Sequence, residues 1–395
     1  MWLSSAMTRM NPWAATILLT GLGLAISGPA LAADGIAVLP GLKVKPFLTE
    51  RIEYETNVFQ APSHARDDVI SRTVPGVAID YKGRHSLAAA YQAEILRFFK
   101  LENQDTEHHI ADGHLKLNFG RLLASVRDSF AITSDPPGTE LTGRVDSTTN
   151  TLGTELEYKL TGRLALGLHH TWTHVNFESS VSKLDRDERL MGGSVFWRLV
   201  HDADLRLAYS YGRIEFDSAT TRDATRHLAT LGLRGDLTAK LSSTFRVGFE
   251  NREPERGALT HFTGFTTGGD WIYRPTGRTT FTLVTDRSLQ ESTAADNLFS
   301  VTSTAMLQAQ HRFTRKLTAF LQGRVGQTEY PRKETVDGRS KFRNDLLLGW
   351  GARAEYEIQS WLELAGEYQR TARDSNFPTS DFVDDKFLAR ITLQF

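Results

Sequence analysis

Through most of the chain, apolar residues recur at every second position. Phe245, Val247 and Phe249 alternate with Arg246, Gly248 and Glu250. Leu205, Leu207, Tyr209 and Tyr211 alternate with Arg206, Ala208, Ser210 and Gly212, and Leu362, Leu364 and Tyr368 alternate with Glu363 and Glu367. The last residues run Phe387, Ala389, Ile391, Leu393, Phe395 against Leu388, Arg390, Thr392 and Gln394. A period of two is that of a strand with unlike faces. No comparable helical stripe follows Ala32. Counting such runs gives about eighteen strands, 16–18 because each run is a weak signal.

Aromatic residues followed at once by a tight polar turn punctuate the runs. They stand at Tyr81-Lys82-Gly83, Phe119-Gly120-Arg121, before Thr161-Gly162 (Tyr158), before His201-Asp202 (Trp197), before Pro275-Thr276-Gly277 (Tyr273), at Phe313-Thr314-Arg315 and at Tyr356-Glu357. The beat recurs roughly every 40 residues, with an eighth turn at Leu237 to Lys240 that lacks its aromatic. Half of it fits one strand plus one connection. Longer polar connections alternate with these turns, at 61–68, 100–107, 134–146, 178–186, 218–222, 251–257, 290–297, 332–340 and 374–381. Short and long ends, and rings in register at one end, predict an all-β, transmembrane, antiparallel up-and-down barrel with an aromatic belt. By the usual rule for bacterial barrels, the short turns and both termini are periplasmic.

Composition changes this picture little. Hydrophobic residues are 40%, charged residues 24% and the net charge −1, which resembles a soluble protein. A membrane barrel looks the same, since only alternate residues meet lipid. Near-neutral charge disfavours a nucleic-acid partner, and the absence of cysteine excludes disulfides and thiolate chemistry. Arg9, the apolar stretch 14–26 and Ala30-Leu31-Ala32 read as a secretory signal, cleaved after the small-x-small motif of Ala30 and Ala32. The expected division is a signal peptide at 1–32 and a barrel at 33–395.

Charges sit on the faces opposite the apolar ones. Glu94, Arg127, Arg206, Arg246, Glu250, Arg324, Arg353, Glu363, Glu367 and Arg390 are the main candidates to line the interior, with Lys116, Glu155, Glu157, Arg198, Arg234, Gln322 and Glu355 beside them. Such groups are costly against lipid and at home in a wet lumen. They read equally as ion pairs bracing the wall and as a hydrophilic conduit, because side chains alone do not fill a barrel this wide. Strand glycines, as at Gly192-Gly193, Gly268-Gly269 and 349–351, read as relief points for curvature. Asp128 breaks the pattern by sharing a face with Ala124, Val126 and Phe130, which predicts a bulge or a place beyond the hydrocarbon band.

Catalytic and metal patterns are weak. His170 and His174 on one strand stand about 13 Å apart, too far for one ion, and Glu363 and Glu367 are equally separated. A Ser–His site on the lipid-facing wall, from His170 or His174 and Ser179, Ser180 or Ser182, has no fixed geometry, and polar rim residues are the better reading. No enzyme activity, metal or cofactor is expected.

The terminal strand resembles the signal read by the outer-membrane insertion machinery, through Phe387, Ile391, Leu393 and the final Phe395. Other segments resemble the putative β-barrel porin 2 family: Val44-Lys45-Pro46-Phe47, Tyr54 to Phe59, Pro75-Gly76-Val77, Gly83-Arg84-His85 with Tyr91 and Glu94, and Asp135-Pro136-Pro137-Gly138. The family tends to show Asp-Asn where Thr56-Asn57 stands, so no role of that acid carries over. The resemblance implies an outer-membrane barrel of a Gram-negative bacterium, taking part in export of a secreted polysaccharide. The alternatives are a general small-solute diffusion porin and, more distantly, a lipid-modifying enzyme. The implied partners are outer-membrane lipid and lipopolysaccharide, the assembly machinery and periplasmic polysaccharide-export components. The connection 134–146 is short for an inward-folded constriction, which favours export.

Overall fold

The computed structural model describes residues 35–134, 144–200, 202–255, 261–292, 297–336 and 339–395. The cleavage motif Ala30-Leu31-Ala32 and most of the connection 134–146 lie outside them. Nineteen strands follow in order: β1 (Ile36–Leu39), β2 (Leu42–Glu55), β3 (Asp68–Lys82), β4 (Ser86–Phe98), β5 (Thr106–Asn118), β6 (Leu122–Thr133), β7 (Ser147–Lys159), β8 (Leu164–Phe177), β9 (Arg186–Val200), β10 (Ala203–Phe216), β11 (Ala224–Asp236), β12 (Leu241–Pro254), β13 (Phe262–Tyr273), β14 (Thr279–Glu291), β15 (Phe299–Arg312), β16 (Leu317–Val336), β17 (Arg339–Gln359), β18 (Leu362–Ser375) and β19 (Phe382–Gln394).

Each strand from β2 onward pairs antiparallel with its successor. β19 then returns to β2, from Lys386 opposite Glu55 to Gln394 opposite Phe47. Eighteen strands therefore close on themselves, which leaves no edge for lipid to meet. β1 continues the line of β19 along β2: Phe395 N–H donates to Pro46 O at 3.1 Å, and Ile36 stands opposite Val44.

The expected alternation of connections holds. Eight turns of two to five residues join the strands at one end, and the longer connections lie at the other. Residues 332–340 differ from expectation. β16 and β17 stay paired from Lys333 opposite Phe342 to Val336 opposite Arg339, so this hairpin projects as a ribbon. Strands that stand in water need no apolar face, and the period-two signal is lost there. Four of the long connections wind through a short 3-10 turn that an aspartate closes. Asp105, Asp185, Asp223 and Asp381 accept the backbone N–H of Phe98, Phe177, Phe216 and Ser375, at 2.7–2.8 Å.

The bulge, one of the two expectations at Asp128, is also corrected. β6 pairs without a break on both sides, Asp128 opposite Gly113 and Leu152, so there is no bulge. Its side chain is exposed on the outer face, with Val126 and Phe130.

The outer face carries the exposed large apolar side chains, among them Leu168, Leu207, Leu231, Phe249 and Leu348. Tyr81, Phe119, Tyr158, Trp197, Tyr273, Phe313 and Tyr356 are exposed near the short turns, as the predicted belt requires. A second aromatic band lies farther along the strands. It includes a chain of ring contacts from Tyr54 through Phe387 and Tyr368 to Trp350.

Candidate channel lumen

Strict alternation along the strands sends the charged faces inward, and the inner wall divides into two unlike halves. On β17–β19 and β2–β5 the charges close on one another. Arg390 on β19 donates to Glu355 at 2.9 Å and Glu363 at 2.8 Å, and Arg353 lies 3.2 Å from the same Glu355. Glu367 stands opposite Arg353 in the ladder and accepts from Gln369. Around the seam, Arg72 lies 2.5 Å from Glu94 and 3.3 Å from Glu53, and Arg51 approaches Glu53. These groups are buried under one another. An ion pair out of water is maintained only where geometry and further hydrogen bonds offset desolvation, as this mesh provides.

The half from β6 to β14 is more open. It borders a cavity of about 200 Å³ lined in part by Arg127, Arg206, Leu228, Arg246 and Glu250. Inward glycines let side chains lie flat against this wall. A Cβ at Gly192 would stand 2.8 Å from the His169 ring. His169 instead crosses that strand and reaches Ser210 Oγ at 2.8 Å. A Cβ at Gly268 would stand 3.1 Å from Arg246 Nη2 and 3.2 Å from Asp286 Oδ1, so those two converge over it. Arg206 meets Ser194 Oγ at 3.2 Å and lies over the Phe196 ring. Arg127 approaches His114 Nδ1 at 3.4 Å, and Arg226 pairs with Glu250 at 2.6 Å. The glycines read as curvature relief thus also make room on the inner face.

At the long-connection end, the connection 56–67 packs against the inner face. Val58 packs with Ile70, Leu96, Phe98 and Leu101, and Phe59 packs against that cluster. Ile70 stands opposite Glu53 and Leu96 opposite Arg72, so the cluster is on the inner face. Asn57 holds the loop there. Its backbone N–H donates to Asp384, its Nδ2 donates to Ala61 O and Val383 O, and its Oδ1 accepts the Ala61 N–H. Thr56 Oγ1 donates to the same Asp384. The segment Tyr54 to Phe59, which carried the family resemblance, is therefore an inward loop and its anchor. The expectation about 134–146 lies mostly outside the described residues, and length alone did not show that 56–67 has apolar residues to bury.

The ten interior candidates named from sequence all lie on the inner face. Glu94, Arg353, Glu363, Glu367 and Arg390 belong to the packed half. Arg127, Arg206, Arg246 and Glu250 belong to the open one. Arg324 borders a smaller recess with Gln322 and Leu347, into which Gln60 of the inward loop reaches. Missed were inward aromatics beneath guanidinium groups, which a period-two search discards as errors. Phe196 lies 4.2 Å from the Arg234 guanidinium carbon and Phe320 4.2 Å from that of Arg353. Arg234 also spans several strands to Glu157 at 2.9 Å. Phe387, Ile391, Leu393 and Phe395 line the outer face of β19 and its end, with Phe395 exposed. His170 and His174 face outward, and His174 Nδ1 lies 3.2 Å from Asp187.

The family described as "Putative beta-barrel porin 2" matches residues 39–395. No curated protein matches the chain. Among solved structures, OpdK with vanillate and OccK9 (OpdG), both from Pseudomonas aeruginosa, are similar with TM-scores of 0.48. Their identities are 12% and 10%, covering 89% and 90% of this chain and 99% of each of theirs. OccAB3 of Acinetobacter baumannii gives a TM-score of 0.46 at 11% identity, covering 90% of this chain and 100% of its own.

Proposed function

The chain belongs to the putative beta-barrel porin 2 family, and on that premise we propose that this outer-membrane barrel passes small hydrophilic solutes. The observation that carries the reading is an interior cavity of about 200 Å³ bordered by charges of both signs. A wall of eighteen strands leaves room that side chains do not fill, and guanidinium and carboxylate groups replace part of a passing solute's hydration. The short turns and both termini lie on the periplasmic side in this reading, with the inward loop at the outer mouth. Arg127, Arg206, Arg246 and Glu250 line the path, and Phe395 serves the assembly machinery.

Export of a polysaccharide, expected from the resemblance, finds less support. The turns at the short end are two to five residues long and offer little on which a periplasmic export apparatus could dock. The inward loop supplies the narrowing whose apparent lack favoured export. Reconstituted into planar bilayers, the purified barrel should give discrete conductance steps, and liposomes holding it should swell in small sugars. Loss of the gene should slow uptake of small solutes and leave secreted polysaccharide unchanged. A barrel that conducts nothing, in a strain whose deletion abolishes a secreted polysaccharide, would return the reading to export.

A further inference from the structure

The outer wall is not uniform. On β9–β12 it presents large side chains to the bilayer, among them Val195, Leu207, Leu231 and Phe249. On β4–β6 small residues replace them: Ala89, Ala111, Gly113 and Ala124 lie on that face, and a Cβ at Gly113 would meet nothing within 4 Å. Beside this notch, at the middle of β6, stands the exposed carboxylate of Asp128, with Gly113 and Leu152 as its cross-strand neighbours.

Two other charges on the outer face, at Glu50 and Arg287, are answered from within the wall. Glu50 accepts from Ser71 Oγ and Thr73 Oγ1, each at 2.7 Å. Arg287 donates to Ser303 Oγ and lies 3.7 Å from Glu329. Asp128 has no hydrogen bond or ion pair among the described residues. A carboxylate between Val126 and Phe130 on a lipid-facing strand is unfavourable in hydrocarbon, and polar groups at such depth normally meet a partner.

We propose that the outer face of β4–β8, centred on Asp128 and Gly113, is a contact surface between two copies of this chain within the membrane. The occupant must reach the middle of β6, so it is itself a membrane wall. Small residues let two walls approach closely, as they do for packed helices. The face also carries its own complement. On the same face, His109 stands four positions along β5 from Gly113 and His170 lies two strands from Asp128 on β8; Tyr91 OH engages Nδ1 of His109 and leaves Nε2 for a further partner. A two-fold axis through this face brings a histidine of one copy toward Asp128 of the other, the reciprocal arrangement of an isologous contact. The five strands span about 19 Å, the width of a wall-to-wall contact.

The chain has no cysteine, so one introduced thiol reports the contact without background. Gly113→Cys, oxidised in outer membranes, should give a disulfide-linked dimer, and Leu231→Cys on the other wall should not. Ala111→Cys serves if the glycine variant fails to assemble. In lipid nanodiscs the unaltered barrel should show twice the protomer mass, and Asp128→Leu should show one. Cross-linking of Leu231→Cys as readily as Gly113→Cys would overturn the proposal. So would an unaltered barrel of single mass at every concentration, with Asp128→Leu changing only its heat stability; the carboxylate would then face lipid.

Discussion

The two halves of the inner wall are built from the same residue types and put them to different use. Around β17–β19 and β2–β5, guanidinium groups such as those of Arg390 and Arg72 are matched to carboxylates at hydrogen-bond distance, and the groups bury one another. From β6 to β14, glycines and small polar residues separate the charges, and several arginines meet neutral groups such as His169, Ser194 and His114. Charge alone therefore does not make a lumen. The spacing left between charges does, and in a strand that spacing is set by what stands on the inward positions of the next strands.

The contrast is broken most directly by removing a cation from the packed half. Arg390→Leu leaves Glu355 and Glu363 facing each other in a buried site, and loss of one partner of such a pair costs about 3–5 kcal/mol. Urea unfolding from lipid vesicles should show that loss, with single-channel conductance of the folded fraction nearly unchanged. A large conductance change without a stability change would mean that the packed half lines the path.

The open half should respond the other way. Leu228 is inward and half-exposed and borders the interior space. Leu228→Trp should reduce conductance severalfold, while the heat-induced shift in gel mobility stays near that of the unaltered barrel. Unchanged conductance would place the solute path elsewhere. A smaller effect is expected at the mouth. Asn57→Ala removes three hydrogen bonds of its side chain, and the buried backbone groups left behind cost about 1–3 kcal/mol. The loop should loosen, and conductance should rise and become noisier. A lower, quieter conductance would mean that the loop does not narrow the mouth.

These regions were not equally legible in the sequence. Strand number, the alternation of connections and the inward direction of Arg206 or Glu250 follow from a period of two, which is local and survives in any register. Which charge meets which does not follow. Arg234 reaches Glu157 across intervening strands, and Arg390 is placed between Glu355 and Glu363 only once β19 lies beside β18. Asp128 was visible as an exception to its face. Its meaning was not, because a bulge and an outward carboxylate look alike until the pairing on both sides is known. Phe196 and Phe320 also violated alternation, and only their arginine neighbours explain them. The inward loop was missed since its anchor, Asp384, lies 327 positions from Asn57.

The smallest expected effect separates burial from charge as the source of the packed half's stability. Above that half, on the rim, Lys100 Nζ donates to Asp67 at 2.5 Å, and both side chains reach water. The hydrogen bond with Lys100 draws the Asp67 carboxyl below its ordinary value, and that with Asp67 raises the Lys100 ammonium above its own. A depressed acid contributes above its unfolded pKa and loses the contribution as pH falls through the folded one. A raised base contributes below its unfolded pKa and loses it as pH climbs through the folded one. The pair can thus act only across the range between those two losses, and water screens it throughout. Lys100→Gln should leave the unfolding midpoint at neutral pH within error of the unaltered barrel. A drop comparable to that of Arg390→Leu would show that charge matching suffices without burial, and the distinction between the two halves would lose its physical basis.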